Sequence, residues 1–174
     1  MVEYLEGTVF TDLLVLLGDY FTLFSVLAVV IFYLLNDKLA LRYSVLCAVF
    51  YIVGNYTHNP VKAFDDDEVY RYIIWALNDI VFIAIVAYWA IKDKMYMWQS
   101  VLVQLVVLPA PLLQLFRLVD RHLMDLSYST YLYKTILPFV NFSAVALCFA
   151  PLILYVGRGI QKYTDESRGK KEGI

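Results

Sequence analysis

The sequence predicts an all-α membrane protein, a polytopic bundle of about five transmembrane helices with little chain outside the bilayer. Of its 174 residues, 61% are hydrophobic and 17% are charged, whereas soluble domains average roughly 45–50% and 25%. The charged residues are also clustered, so that uncharged apolar runs of about 20 residues recur, which is the length that crosses a hydrocarbon core. Composition and run length together indicate a chain that folds in lipid.

Five apolar runs define the predicted spans, at 13–35, 39–56, 72–91, 95–116 and 135–156. Only Asn36-Asp37-Lys38 separates the first two spans, so they must form a helical hairpin. The acidic run at 65–68 precedes the third span, and we expect it to cap that helix at the positive end of its dipole. Pro109 and Pro111 lie inside the fourth span and should kink it.

The remaining polar segments divide the chain into one bundle and a short tail. The polar residues from Arg117 to His122 predict a longer connection between the fourth and fifth spans. Gly157 and Gly159 weaken a helix, so we expect the fifth helix to end shortly after Val156. The layout is therefore a transmembrane bundle over 1–163, followed by a polar cytoplasmic tail over 164–174 that is too short to fold alone.

Orientation follows from the positive-inside rule, applied to the two sides of an odd number of spans. One side holds nine of the 14 basic residues and the other holds five. We therefore predict an external N-terminus and a cytoplasmic C-terminus, in a multi-pass protein of the cell membrane, plasma or inner. The nine are Lys38, Arg42, Lys92, Lys94, Arg158, Lys162, Arg168, Lys170 and Lys171, and the five are Lys62, Arg71, Arg117, Arg121 and Lys134.

Two aspartates lie well inside predicted spans, where an ionised carboxylate costs about 2.5–3.5 kcal/mol on insertion scales. Asp79 follows Tyr72 by seven residues and Asp19 follows Leu13 by six. At 1.5 Å per residue, each carboxylate is about 9–10 Å deep. With the N-terminus outside, both lie at a similar depth below the external face.

Other polar groups are expected near the same depth. Asn141 lies six residues into the fifth span, and Pro109 and Pro111 break the fourth at about that level. Asn78 and Gln104 add amides within the third and fourth spans. One interpretation is hydrogen bonding between helices, worth about 0.6–2 kcal/mol per group. The other is a protonatable or cation-binding pocket, in which burial favours the neutral carboxylic acid.

The sequence points to no cofactor and no metal site. His58 and His122, both on the predicted external side, are the weak candidates for a metal or axial haem ligand, because they lack motif spacing. Cys47 and Cys148 lie in apolar runs and are expected to pack as small hydrophobic side chains. No phosphate loop, nucleophile elbow or HExxH motif supports an enzyme. A net charge of −2 gives no basic surface for nucleic acid.

The function favoured by this pattern is a small membrane protein that acts through helix packing, as an assembly, accessory or modulatory subunit. Its partners would be the lipid bilayer and other membrane subunits, or copies of itself in an oligomer. Small residues four apart let helices approach closely. Such pairs are Ser44/Ala48, Ala144/Cys148 and Ala146/Ala150.

Two alternatives come from other classes of protein. One is a small ion- or proton-coupled channel or carrier that uses the intramembrane carboxylates of Asp79 and Asp19. The more distant one is a haem or quinone redox subunit, which an absorption spectrum of the purified protein would test. No motif assigns the chain to a family.

Overall fold

A computed structural model describes the backbone of residues 20–124 and 127–172 and the side chains of residues 20–124 and 129–157. Within these ranges the chain is a helical bundle without strands, which confirms the predicted fold class. The helices are α1 (Phe21–Leu34), α2 (Lys38–Phe64), α3 (Tyr70–Ile91), α4 (Met97–Val107), α5 (Pro109–Val119) and α6 (Ser127–Glu172), with a π-helical turn (Asp120–Met124) after α5.

Four helical segments are long and apolar enough to cross a membrane. They are Lys38–Phe64, Tyr70–Ile91, Met97–Met124 and Ser129–Gly157. The apolar helix α1 is shorter over the residues described, and the first predicted span begins at 13, outside them. The chain therefore has four to five membrane-spanning helices, and its orientation remains a prediction.

The second helix is longer than predicted. Gly54 and Pro60 suggested an end near Tyr56, but α2 continues through Pro60 to Phe64. The polar side chains in this stretch form hydrogen bonds along the helix and to α1. Thr57 Oγ1 donates to the Val53 carbonyl at 2.8 Å, and Asn55 Nδ2 donates to Thr22 Oγ1 of α1 at 2.8 Å.

The fourth span is broken by its prolines, as predicted, but the polar connection expected after it is helical instead. Pro109 begins α5 directly after the break at Leu108. Residues 117–122, predicted as a connection, form the end of α5 and most of the π turn. That prediction is wrong because Arg117 and Asp120, one turn apart, pair at 3.2 Å and so satisfy each other within a helix.

The last helix also exceeds its predicted span of 135–156. Its described backbone runs from Ser127 to Glu172, so the expectation that it ends shortly after Val156 is wrong. The Lys, Arg, Gln and Glu residues in this stretch are strong helix formers and offset the cost of Gly157 and Gly159. The division into a bundle over 1–163 and a tail over 164–174 stays a prediction.

The last helix is also the centre of the bundle. It packs against α1, α2, α4 and α5, while α3 packs mainly on α5 and α4. Small side chains on α2 and α6 are buried where helices approach. They are Ser44, Ala48, Ala144 and Cys148. Two of the three predicted small-residue pairs therefore pack within the bundle.

Candidate functional site

Asp79 lies on the side of α3 that faces the bundle. The buried residues of α3 include Tyr72, Ala76, Phe82 and Val86, and Asp79 lies midway between Ala76 and Phe82, at the three-residue spacing that keeps it on the same side of the helix. It is nine residues past the start of α3 at Tyr70, so about 14 Å along the helix. Its side chain is half-buried.

Asp79 differs from the buried aspartates of the bundle in its bonding. Asp37, Asp65 and Asp120 are 7%, 1% and 0% exposed, and the carboxylate of each accepts several hydrogen bonds. Asp79 makes no hydrogen bond or ion pair with any residue that the structure describes. A charged carboxylate without a partner at this depth is expensive, so the neutral acid is the form that suits this position.

Polar groups from two other helices, α2 and α6, interact with Asp79. Its carboxylate interacts electrostatically with the hydroxyls of Tyr51 on α2 and Tyr133 on α6. The Gln114 side chain of α5 in turn interacts with the Tyr133 hydroxyl. Gln114 is 3% exposed, and its Oε1 atom has no hydrogen-bond partner among the described residues. We call Asp79, Tyr51, Tyr133 and Gln114 the Asp79 cluster.

A buried ion pair lies beyond the Asp79 cluster, toward the end of the bundle where α2 ends and α3 begins. Arg117 Nη1 contacts Asp120 Oδ2 at 3.2 Å, and Ser129 Oγ donates to the same carboxylate. Ser129 lies one helical turn before Tyr133 on α6. Arg117 also acts electrostatically on Tyr133. Polar groups therefore extend from this end of the bundle as far as Asp79.

The same end is closed by the acidic run, whose predicted role as a cap of α3 is confirmed. The Asp65 carboxylate accepts hydrogen bonds from the N–H groups of Val69, Tyr70 and Arg71 at 2.8–3.0 Å. Burial acts to raise the pKa of Asp65, but these bonds and the Arg71 guanidinium outweigh it and lower the pKa below its ordinary value. Asp65 therefore stays ionised near neutral pH.

The opposite end is closed by Asp37, in the turn between α1 and α2. Asp37 Oδ1 caps α2 by accepting from Leu39 and Ala40 N–H, each at 3.1 Å. Its Oδ2 accepts from the hydroxyls of Tyr96 at 2.9 Å and Tyr155 at 3.3 Å. One carboxylate thus joins α2 to the residue before α4 and to α6.

From the Asp79 cluster toward Asp37, tyrosines join α2 to α6. Tyr43 Oη donates to the Ala144 carbonyl at 2.7 Å, and Tyr51 Oη, within the cluster, donates to the Asn141 carbonyl at 3.0 Å. Cys47 and Cys148 are fully buried, and Cys148 Sγ is 3.8 Å from the Ala144 carbonyl on its own helix. The ring of Phe82 packs edge-on against Tyr43 and Phe50, so apolar side chains dominate this half.

The other intramembrane polar residues that the sequence singled out differ in their hydrogen bonding. Asp19 lies outside the described residues. Asn78 is half-buried and, like Asp79, makes no hydrogen bond with a described residue. Gln104 Nε2 donates to Ser100 Oγ at 2.9 Å on its own helix, and Asn141 adjoins the Asp79 cluster through its carbonyl, which is the acceptor for Tyr51.

The proline break and the two histidines lie outside the Asp79 cluster. Pro109 and Pro111 have no N–H, so the carbonyls of the residues four before each lose their usual helical donor. His58 stacks on Trp75 at 5.5 Å between ring centroids. His122 lies on the π turn and contacts the carbonyls of Leu118 and Asp67.

Sequence reasoning overlooked several of the polar contacts. Tyr43 and Tyr51, which the sequence analysis did not single out, join α2 to α6 inside the bundle. Gln99, which is fully buried, donates from Nε2 to the Leu147 carbonyl at 2.8 Å. Its place within an apolar run was the available signal, because a buried amide needs a partner.

The Asp79 cluster combines a carboxylate, two phenols and an amide, groups that can hold or pass a proton. No group of three or more His, Cys, Asp or Glu side chains suited to a metal ion occurs among the described residues. Comparison of the chain with protein-family models, with curated proteins and with solved structures finds no match.

Proposed function

We propose that the protein is a small proton-coupled channel or carrier in which Asp79 binds and releases the proton. The observation that supports this proposal is the contrast among the aspartates. Asp37, Asp65 and Asp120 have the hydrogen bonds of structural carboxylates, whereas Asp79 lies on the core-facing stripe of α3 with no such partner among the described residues. An intramembrane carboxylate of this kind suits reversible protonation.

The polar groups around Asp79 favour access from the Asp65 end of the bundle. On that side, Tyr133 and Gln114 lead toward the Arg117–Asp120 pair. On the other side, the ring of Phe82 and the buried side chain of Val86 separate Asp79 from Asp37. A proton would therefore reach Asp79 from the Asp65 end, which the sequence predicts to be external.

Proton flux into liposomes tests the proposal. Purified protein is reconstituted with a pH-sensitive dye inside the vesicles, and a potassium diffusion potential drives proton movement. Asp79→Asn removes the titratable group at nearly constant size, and we expect it to reduce flux by about tenfold or more. Asp93→Asn, at an exposed turn residue, is the matched control and should conduct like the wild type.

A second measurement distinguishes a proton site from a structural role. If Asp79 served as hydrogen-bonding glue, Asp79→Leu would destabilise the bundle by about 1–3 kcal/mol, because its partners would lose their bonds. On the present proposal, Asp79→Leu leaves stability unchanged or raises it, since leucine removes a costly polar group. Wild-type flux no greater than that of empty vesicles, or full flux in Asp79→Asn, would overturn the proposal.

The protonated acid also has a direct signature. Infrared difference spectra between acid and alkaline buffer should contain a carboxylic C=O band that disappears in Asp79→Asn and persists in Asp93→Asn. Such a band reports proton binding by Asp79 whether or not the reconstituted protein conducts. Its presence without flux would favour a proton sensor over a channel.

The second candidate function is the packing subunit favoured by the sequence, and a groove between α4 and α6 supports it. The groove has a volume of about 510 Å³ and is lined mainly by apolar side chains. Ala146 and Ala150 lie along it, so this small-residue pair faces outward, unlike the two pairs that pack within the bundle. The occupant that suits such a surface is a transmembrane helix of another membrane protein.

Site-specific crosslinking in intact membranes tests this candidate. A photoreactive residue at Ser143, which also lines the groove, should yield one discrete crosslinked species if a partner helix occupies it. Ala150→Leu fills the groove and should abolish that species. A probe at Val30, an exposed position on α1, is the control. Labelling of lipid alone at Ser143 would eliminate the candidate.

A further inference from the structure

His122 joins the π turn to the acidic loop between α2 and α3. Its Nδ1 atom is 2.9 Å from the Leu118 carbonyl oxygen, and its Nε2 atom is 3.0 Å from the Asp67 carbonyl oxygen. Both ring nitrogens therefore face acceptors. A neutral imidazole carries one N–H and can donate only one bond, so the doubly protonated ring alone satisfies both contacts.

The acidic loop that His122 contacts is under conformational strain. Glu68, directly after Asp67, has a φ of 56°, in the left-handed region that residues other than glycine seldom adopt. A backbone of this kind persists only when surrounding contacts hold it. Those contacts include the ion pair from Arg121 to Glu68 and the hydrogen bond from His122 to the Asp67 carbonyl.

We propose that His122 is a pH-sensitive latch, which fastens the acidic loop 65–68 to the π turn when its ring carries both protons. When either proton is lost, the bare nitrogen presents a lone pair to a carbonyl oxygen, so the ring cannot hold its bridging position and the loop is released. A π turn is itself a less stable variant of the helix, often found at functional sites. The latch goes beyond the proposed proton function and does not depend on Asp79.

Several charged side chains surround His122. The loop contributes the carboxylates of Asp67, Glu68 and Asp65, and hydrogen bonds lower the pKa of Asp65 below its ordinary value. The arginines stay protonated throughout. They are Arg117 and Arg121 on the helix that carries His122 and Arg71 at the start of α3, and Asp120 is paired with Arg117. Histidine, with an ordinary pKa of about 6.5, is the group that changes charge between about pH 5.5 and pH 8.

The chain offers a matched control, because it has two histidines. His58 stacks on Trp75 and contacts neither the loop nor the π turn in the hydrogen bonds described. His122→Phe and His58→Phe each replace an imidazole with an aromatic ring that cannot titrate. The first removes the latch, and the second leaves His122 as the single histidine.

Hydrogen exchange of the full-length protein in nanodiscs supplies the first measurement. After correction for intrinsic exchange rates, amides of 65–71 in the wild type should exchange about fivefold faster at pH 8 than at pH 5.5, the effect of losing one exposed charge-assisted hydrogen bond. His58→Phe should retain this difference. In His122→Phe, exchange should be fast at both values of pH.

Nitrogen NMR of the imidazole in His58→Phe supplies the second measurement, which does not require His122→Phe to fold. Both ring nitrogens of His122 should be protonated at pH 5.5, and the loss of one proton should have the same midpoint as the increase in loop exchange. A neutral ring at pH 5.5, a loop that does not respond to pH, or a pH response that persists in His122→Phe would overturn the proposal.

Discussion

At the scale of single residues, the aspartates show that surroundings decide what a side chain does. Asp37 and Asp65 both lie in short turns and cap the helix that follows. Asp37 also binds the hydroxyls of Tyr96 and Tyr155 from distant segments, whereas Asp65 binds Arg71 of the helix it caps. Asp120 is fully buried, and Arg117 and Ser129 satisfy it. Asp79 shares their chemistry but lacks such donors, which is why it alone among the four is proposed to titrate.

The Asp37 contacts lead to a prediction about stability. Asp37→Ala removes the cap of α2 and leaves the hydroxyls of Tyr96 and Tyr155 without this acceptor, so we expect a loss of about 1–3 kcal/mol in the free energy of unfolding. Denaturant titration in detergent micelles measures it. Asp93→Asn, at an exposed position in another interhelical turn with a positive φ that asparagine tolerates, is the control. Equal stability of the two variants would mean that the Asp37 contacts contribute nothing.

At the scale of elements, helix boundaries were the least accurate part of the sequence prediction. Glycine, proline and charged residues were interpreted as ends of helices near Tyr56, Phe116 and Val156. In the structure, Asn55 and Thr57 bond to α1 and to their own helix, and Arg117 pairs along α5. Local signals for a break were outweighed near Phe116 by an ion pair along the helix, and after Val156 by residues that favour a helix.

The end of α6 carries the second prediction. The sequence from Thr164 to Ile174 is polar and has no apolar stripe to bury, so it should contribute little to the stability of the bundle. Deleting these residues should leave expression and the midpoint of thermal unfolding in detergent nearly unchanged. Deleting from Leu152 onward, which removes a partly buried residue packed on the core, is the destabilising control. A large loss on the shorter deletion would show that the tail packs on the bundle.

At the scale of the whole molecule, the arrangement is a bundle with polar contacts at both ends and in between. At one end Asp37 joins three segments, and Arg42 donates to the Lys94 carbonyl at 3.0 Å. At the other end, ion pairs connect Arg71 and Arg121 to Glu68. These hydrogen bonds and ion pairs hold the interhelical turns together. Apolar side chains such as Leu77 and Leu105 remain exposed for contact with lipid.

The orientation of the bundle is the third prediction. Basic residues are more numerous on the side of the membrane that holds Lys38 and Lys94 than on the side that holds Lys62. We therefore expect the side of Lys38 and Lys94 to be cytoplasmic. Reporter fusions after Lys94 and after Ile174 should both be active in the cytoplasm, and a fusion after Asp66 should be active outside. The opposite pattern would invert the topology and place the His122 latch and the proposed access to Asp79 on the cytoplasmic side.

The sequence by itself determined the class of fold, the helical hairpin at Asn36-Asp37-Lys38, the capping role of the acidic run and the break at Pro109. Each depends on local composition or on residues adjacent in the chain, so no tertiary information was needed. Asp79 was also singled out from the sequence, because a carboxylate within an apolar run is conspicuous whatever surrounds it.

Only the tertiary structure decided which polar residues are satisfied and by what. The partners of Asp37 include Tyr155, which is 118 residues away, and Tyr43 finds its acceptor 101 residues away at Ala144. Nor does a sequence distinguish small-residue pairs that pack inward from Ala146 and Ala150, which face outward. Such pairings depend on how helices rotate about their axes, which the combined packing of the whole bundle fixes.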